Sequence, residues 1–134
     1  LQQRSPMQFQ VPVSVGEVLD KITILQIKLA HISDAAKRAN IQNELDALLP
    51  LVAGDAFTTN QMQGLVAELK AVNEALWNIE DDIREKEAAK SFDAEFIKLA
   101  RAVYVTNDKR AEIKKQINLE TGSALIEEKS YESY

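Results

Sequence analysis

Apolar residues recur along this chain at intervals of three and four, the spacing that gathers them on one side of an α-helix. Val15, Val18, Ile22, Leu25, Leu29 and Ile32 form the first stripe. Ile24 and Ile27 fall on the opposite side, so this helix is apolar on two faces and belongs in the middle of a bundle or against a second subunit. Ile41, Leu45, Leu48 and Val52 make a second stripe, ended by Pro50 and Gly54. A third runs from about Asn60 to Ala89 through Leu65, Leu69, Val72, Leu76, Ile79 and Ile83, and a fourth occupies 93–122.

Helix-end signals agree with these limits. Ser14-Val15-Gly16-Glu17 fits a capping box, with Ser14 accepting from the backbone and Glu17 reaching back. Asp34, Thr58 or Thr59, and Asp93 cap the other starts, and Gly122 stands where a left-handed C-cap residue belongs. Short connections between long helices make neighbours antiparallel. The expected fold is all-α: an antiparallel up-down four-helix bundle with short extended N- and C-terminal segments. Residues 14–122 form the single bundle domain, 1–13 an extended or disordered lead-in and 123–134 a tail. Gln8–Val13 alternates polar and apolar around Pro12, an edge strand at best. Leu1–Pro6, ahead of the first patterned segment, is set aside from the fold as an overlong start or remnant. Ala124, Leu125 and Ile126 could pack against or pair with the lead-in.

The fourth helix breaks the pattern. Its buried arc holds Phe96, Ala100, Val103 and Ile117, and at about 100° per residue Asn107, Arg110, Lys114 and Asn118 fall in the same arc. A charge in a dry core costs several kcal/mol unless it is paired or liganded. Arg110 and Lys114 therefore need a partner helix, a ligand or a water-filled groove. Counting back from the turn near residue 91 sets Arg110 level with Asn73 and Lys114 with Leu69, and makes a Glu80–Arg110 bridge marginal. The first helix, where Glu17, Asp20, Lys21 and Lys28 flank the stripe, is the other source of partners. On the third helix Asn73, Glu80 and Glu87 recur every seven residues with Arg84 on the same flank. The row is either a solvated rim of ion pairs or a set of groups facing the bundle interior.

With 134 residues the chain is long enough for one self-sufficient core, and 46% apolar against 28% charged residues is a globular balance. A net charge of -5 and no basic, aromatic-interleaved patch argue against nucleic acid or an acidic membrane as partner. Cysteine is absent, which excludes thiol chemistry and thiolate metal sites. No apolar run reaches the roughly 20 residues of a membrane span, and no signal-peptide pattern appears; the expected setting is soluble and cytoplasmic. His31 is the single histidine, at the end of the first helix where it suits the dipole, so the Glu-x-x-His pairs of a di-iron bundle cannot be assembled. Neither a metal site nor a cofactor is expected. The serines sit at caps and termini, the glycines are isolated, and catalytic residues cannot be named. Trp77, Tyr104 and Phe57 suit core or interface anchors.

Four stretches together resemble a family of short bacterial proteins of unknown function, whose members look like one compact helical domain. They are Val13–Leu25 (VSVGEVLDKITIL), Leu76–Arg84 (LWNIEDDIR), Ala102–Arg110 (AVYVTNDKR) and Glu127–Tyr131 (EEKSY). The resemblance implies no activity, cofactor or catalytic residue. It does mark the polar positions that the helical wheel marks: Glu17, Asp20 and Lys21, then Glu80 and Arg84, then Asn107 and Arg110.

Two functions follow from the polar run. In the leading one it is a register-setting ion-pair network, and the protein is a non-enzymatic interaction module, a homodimer joined through the first helix. Its charges are then mutually paired, and no cavity larger than a water or two remains. In the alternative, Lys21, Glu80, Arg84, Asn107, Arg110 and Lys114 bind a small anionic metabolite in the bundle interior, with chorismate-mutase-like or lyase-type chemistry driven by electrostatic complementarity. Unpaired Arg and Lys nitrogens then line a cavity.

Overall fold

A computed structural model describes residues 6–134, and the expectation for Leu1–Ser5 lies outside them. Among the described residues four α-helices form: α1 (Val15–His31), α2 (Ala35–Leu48), α3 (Asn60–Ala88) and α4 (Ala94–Thr121). Two short 3-10 turns, Leu49–Val52 and Asp55–Phe57, connect α2 to α3. Pro50 cannot donate to the i−4 carbonyl, and α2 tightens into the first of these turns before it stops. Among the described residues no strand forms. The lead-in and the tail lie beside each other as irregular chain, Pro12 and Val13 near Leu125 and Ile126.

Every helix start carries the expected cap. Ser14, Asp34, Thr59 and Asp93 accept from the backbone N–H of Glu17, Lys37, Met62 and Phe96, each worth about 1 kcal/mol. The capping box is only half made: the Glu17 side chain turns to α4 instead of its own helix start. Gly122 closes α4 at φ 64° and Lys90 follows α3 at φ 54°, both left-handed.

The two-faced first helix lies in the middle of the bundle. α2 packs on one side, antiparallel, with Lys21 near Glu44 and Arg38 donating to the Leu29 and Ile32 carbonyls. α3 and α4 pack on the other side. The core joins Leu19, Ile22 and Leu25 to Ile41, Leu45, Met62, Leu65, Leu69, Ile113 and Ile117. Leu19 is buried deeper than the stripe positions Val15 and Val18, because α1 meets neighbours around most of its circumference.

At 1.5 Å per residue, α3 and α4 are about 42–44 Å long against about 25 Å for α1. Their antiparallel hairpin therefore outruns the rest. From Glu74 to Glu112 no residue is buried, so the outer half of the hairpin is a two-helix arm. No described helix is long and apolar enough to cross a membrane.

Candidate functional site

The polar run of α4 meets α1 at the base of the arm. Gly16 allows the meeting: a Cβ there would stand 2.6 Å from the Lys114 carbonyl oxygen and 3.0 Å from Asn118 Oδ1. With the two backbones this close, residues of α1 at steps of three and four reach across α4. Arg110 clasps Asp20 with both edges of a fork, Nε to Oδ1 at 2.8 Å and Nη2 to Oδ2. Lys114 donates to Glu17 Oε2 at 2.6 Å and lies 3.9 Å from Asp20 Oδ2 and 3.4 Å from Glu127 Oε2 of the tail. From α3, Asn73 donates to Asp20 Oδ1 at 2.9 Å and to Thr23 Oγ1 at 3.0 Å, and the Thr23 hydroxyl donates to the Asp20 carbonyl. Below them Asn118 Oδ1 accepts the Gly16 N–H at 2.6 Å, and Ser123 Oγ accepts that of Val15 at 3.1 Å.

Asp20 is 1% exposed, and Lys114 and Asn118 are buried beside it. Burying the two ions costs several kcal/mol each, which only good geometry and further hydrogen bonds offset. Both conditions hold: no buried side-chain nitrogen or oxygen among the described residues lacks a partner. Burial acts to raise the Asp20 carboxyl, yet the hydrogen bonds from Arg110 and Asn73 and the charges of Arg110 and Lys114 outweigh it and hold the group below its ordinary value. The hydrogen bond to Asp20 raises Arg110 in turn. Asp20, Glu17 and Glu127 against Arg110 and Lys114 leave one carboxylate in excess. The interior cations are spent on side chains of the chain itself.

The candidates proposed from sequence separate into two groups. Arg110 and Lys114 come together, and Asn107 lines the cleft above them. Lys21 points away to Glu44 at 3.0 Å on α2, because a step of one residue from Asp20 turns it by about 100°. Glu80 pairs with Arg84 one turn on, an exposed contact on α3. Of the seven-residue row only Asn73 faces inward, while Glu87 lies 3.9 Å from Lys90 at the rim. The Glu80–Arg110 bridge does not form, since Arg110 is taken by Asp20. Thr23 was not anticipated as part of the network; a hydroxyl within the apolar first helix was its only signal. Glu127 lies in the tail, where no helical periodicity reports its direction. His31 lies in the last turn of α1, 2.6 Å from Glu74 and stacked on Trp77 at 4.8 Å between ring centroids.

The charges are mutually paired as the interaction reading expects, but two openings flank the network, so its expectation of no cavity larger than a water or two is not met. A polar cleft of about 220 Å³ lies between α4 and the tail, lined by Glu17, Asn107, Arg110, Lys114, Lys115, Asn118, Glu127 and Lys129. An open groove of about 540 Å³ lies on the other side, with Ile24, Ile27, Leu76 and Trp77 below and Glu80, Asp81 and Arg84 at its edge. Among the described residues no group of three or more His, Asp or Glu is placed to hold a metal ion.

A family model described as a family of unknown function matches residues 9–134. No curated protein and no solved structure matches the chain.

Proposed function

Because the chain belongs to this family of unknown function (DUF6165), membership brings no activity with it, and we propose from the geometry a non-enzymatic interaction module that forms a homodimer. The observation that carries the reading is the arm: two long helices projecting past their partners with no buried residue between Glu74 and Glu112. On the outer face of α4 Ile97 is 57% and Val105 38% exposed, while the tail covers a neighbouring patch, Tyr134 packing on Tyr104 and donating to Asp108. Lys98 and Arg101 flank the two exposed apolar residues. The groove over Ile24, Leu76 and Trp77 is the counterpart, apolar below and edged by Asp81 and the Glu80–Arg84 pair. Two exposed apolar surfaces on one chain can bury each other, and a two-fold axis would use the pair twice and close the assembly. The dimer surface proposed here is thus the arm together with the strip of α1 at Ile24 that floors the groove; elsewhere α1 is packed against α2 and the α3–α4 pair.

Light scattering with sedimentation equilibrium across the micromolar range tests the proposal. A dimer that Ile97→Glu converts to a folded monomer supports it. A parent that stays monomeric throughout ends the homodimer reading.

A further inference from the structure

The cleft between α4 and the tail has features that a structural ion pair does not need. Lys114 is already matched by Glu17 at 2.6 Å, and Glu127 adds a longer, weaker contact at 3.4 Å. Next to it Glu128 reaches Lys115 at 3.5 Å. The side chains of Glu127 and Glu128 are 52% and 70% exposed, so both can swing into water without moving a helix.

The charges explain why this matters. Arg110, Lys114, Lys115 and Lys129 stand against Asp20, Glu17, Glu127 and Glu128, four against four. With the two tail carboxylates turned out, four cations face two carboxylates, and the cleft carries two positive charges in excess. The volume limits what can answer them. About 220 Å³ is room for some seven waters at about 30 Å³ each, below the roughly 300 Å³ at which drug-sized ligand sites begin. A compact ion is enough to fill it.

We infer that this cleft is a binding site for a small dianion, a dicarboxylate or a phosphate group, whose place on Lys114 and Lys115 is held in the free protein by Glu127 and Glu128. The tail carboxylates act as tethered competitors. Glu127 is five residues beyond the Gly122 cap, so its local concentration at Lys114 is high and free anion must compete against it. The inference does not require the homodimer: Asn107 and Arg110 line both openings, but Lys114, Lys115 and Glu127 line only the cleft on the tail side of α4.

Self-competition makes a prediction that a purely structural strap does not. Titration calorimetry of the intact chain with inorganic phosphate and with succinate, at ionic strength held constant by sodium chloride, is compared with Glu127→Gln. The parent is expected to bind at least one of the two above the chloride background, and Glu127→Gln to bind it at least fivefold more tightly. Phosphate alone would assign a phosphoryl ligand, succinate alone a dicarboxylate, and both the shared dianion chemistry. Lys114→Met should abolish binding. Because that change strands Glu17 beside Asp20 and can unfold the protein, Glu127→Gln is the deciding variant. Equal or weaker binding by Glu127→Gln, or no response beyond chloride in either protein, overturns the inference.

Discussion

Two identical substitutions, Gly16→Ala and Gly64→Ala, should move stability in opposite directions. At Gly16 the added methyl meets backbone: 2.6 Å from the Lys114 carbonyl oxygen and 3.2 Å from its carbonyl carbon, neither of which can rotate aside. Relief requires α1 to withdraw from α4. Overpacking of this kind costs about 1–3 kcal/mol. Withdrawal also loosens the Gly16 N–H bond to Asn118, worth about 0.5–1.5 kcal/mol. Together these amount to about 2–4 kcal/mol. For 134 residues the unfolding entropy is about 0.28 kcal/mol per kelvin, so the midpoint should fall by about 7–14 °C. At Gly64, on the exposed side of α3, a Cβ meets nothing within 4 Å. Alanine there should gain the ordinary helical preference of about 0.5–1 kcal/mol, a rise of about 2–4 °C. Thermal unfolding by circular dichroism reads both. A Gly16→Ala protein within 1 °C or so of the parent would refute the close approach of α1 to α4, and with it the geometry that brings Asp20 to Arg110.

Arg110→Ala should destabilise by about 3–5 kcal/mol in urea unfolding, because it leaves Asp20 buried and charged, and adding Asp20→Asn should recover much of the loss; a near-neutral Arg110→Ala would mean the fork is not formed. Acid sensitivity follows from Asp20, whose folded carboxyl lies below its unfolded value of about 3.9. Its stabilisation is complete above that value and is lost as pH falls through it toward the folded one. Urea midpoints followed downward from about pH 5 should therefore drop less steeply in Asp20→Asn than in the parent. At the helix ends, Gly122→Ala should cost about 1 kcal/mol and Lys90→Gly should gain about as much, since both positions are left-handed; equal melting temperatures for the two variants would contradict those turns.

Helical periodicity and capping chemistry are local, and they placed all four helices to within a residue or two. The same periodicity put Asn107, Arg110, Lys114 and Asn118 on one arc, and all four lie at the α1–α4 contact or the cleft above it. Counting through the α3–α4 turn set Arg110 level with Asn73, and both now grip Asp20. Which neighbour a residue meets is another matter, because it depends on how α1 crosses the hairpin. Lys21 is turned toward α2, away from the site, and Glu17, which the sequence offers both to its own helix start and to the cations of α4, goes to Lys114. Glu127 was out of reach of any wheel, since its direction comes from a tail with no repeating geometry.

One detail of α1 bears on when the chain can fold during synthesis. Its first three backbone N–H groups are taken by Ser123, Asn118 and Ser14 in turn, so two of the three acceptors lie 108 and 102 positions further along the chain. At about 5–20 residues per second, a ribosome needs roughly 5–20 s to supply them after α1 has left the tunnel. Until then the helix at the centre of the bundle begins with open donors, and Asp20 gains Asn73 and Arg110 only 53 and 90 positions after it is made. A segment made later thus completes one made earlier, and a nascent chain shortened before Asn118 should remain susceptible to protease at α1.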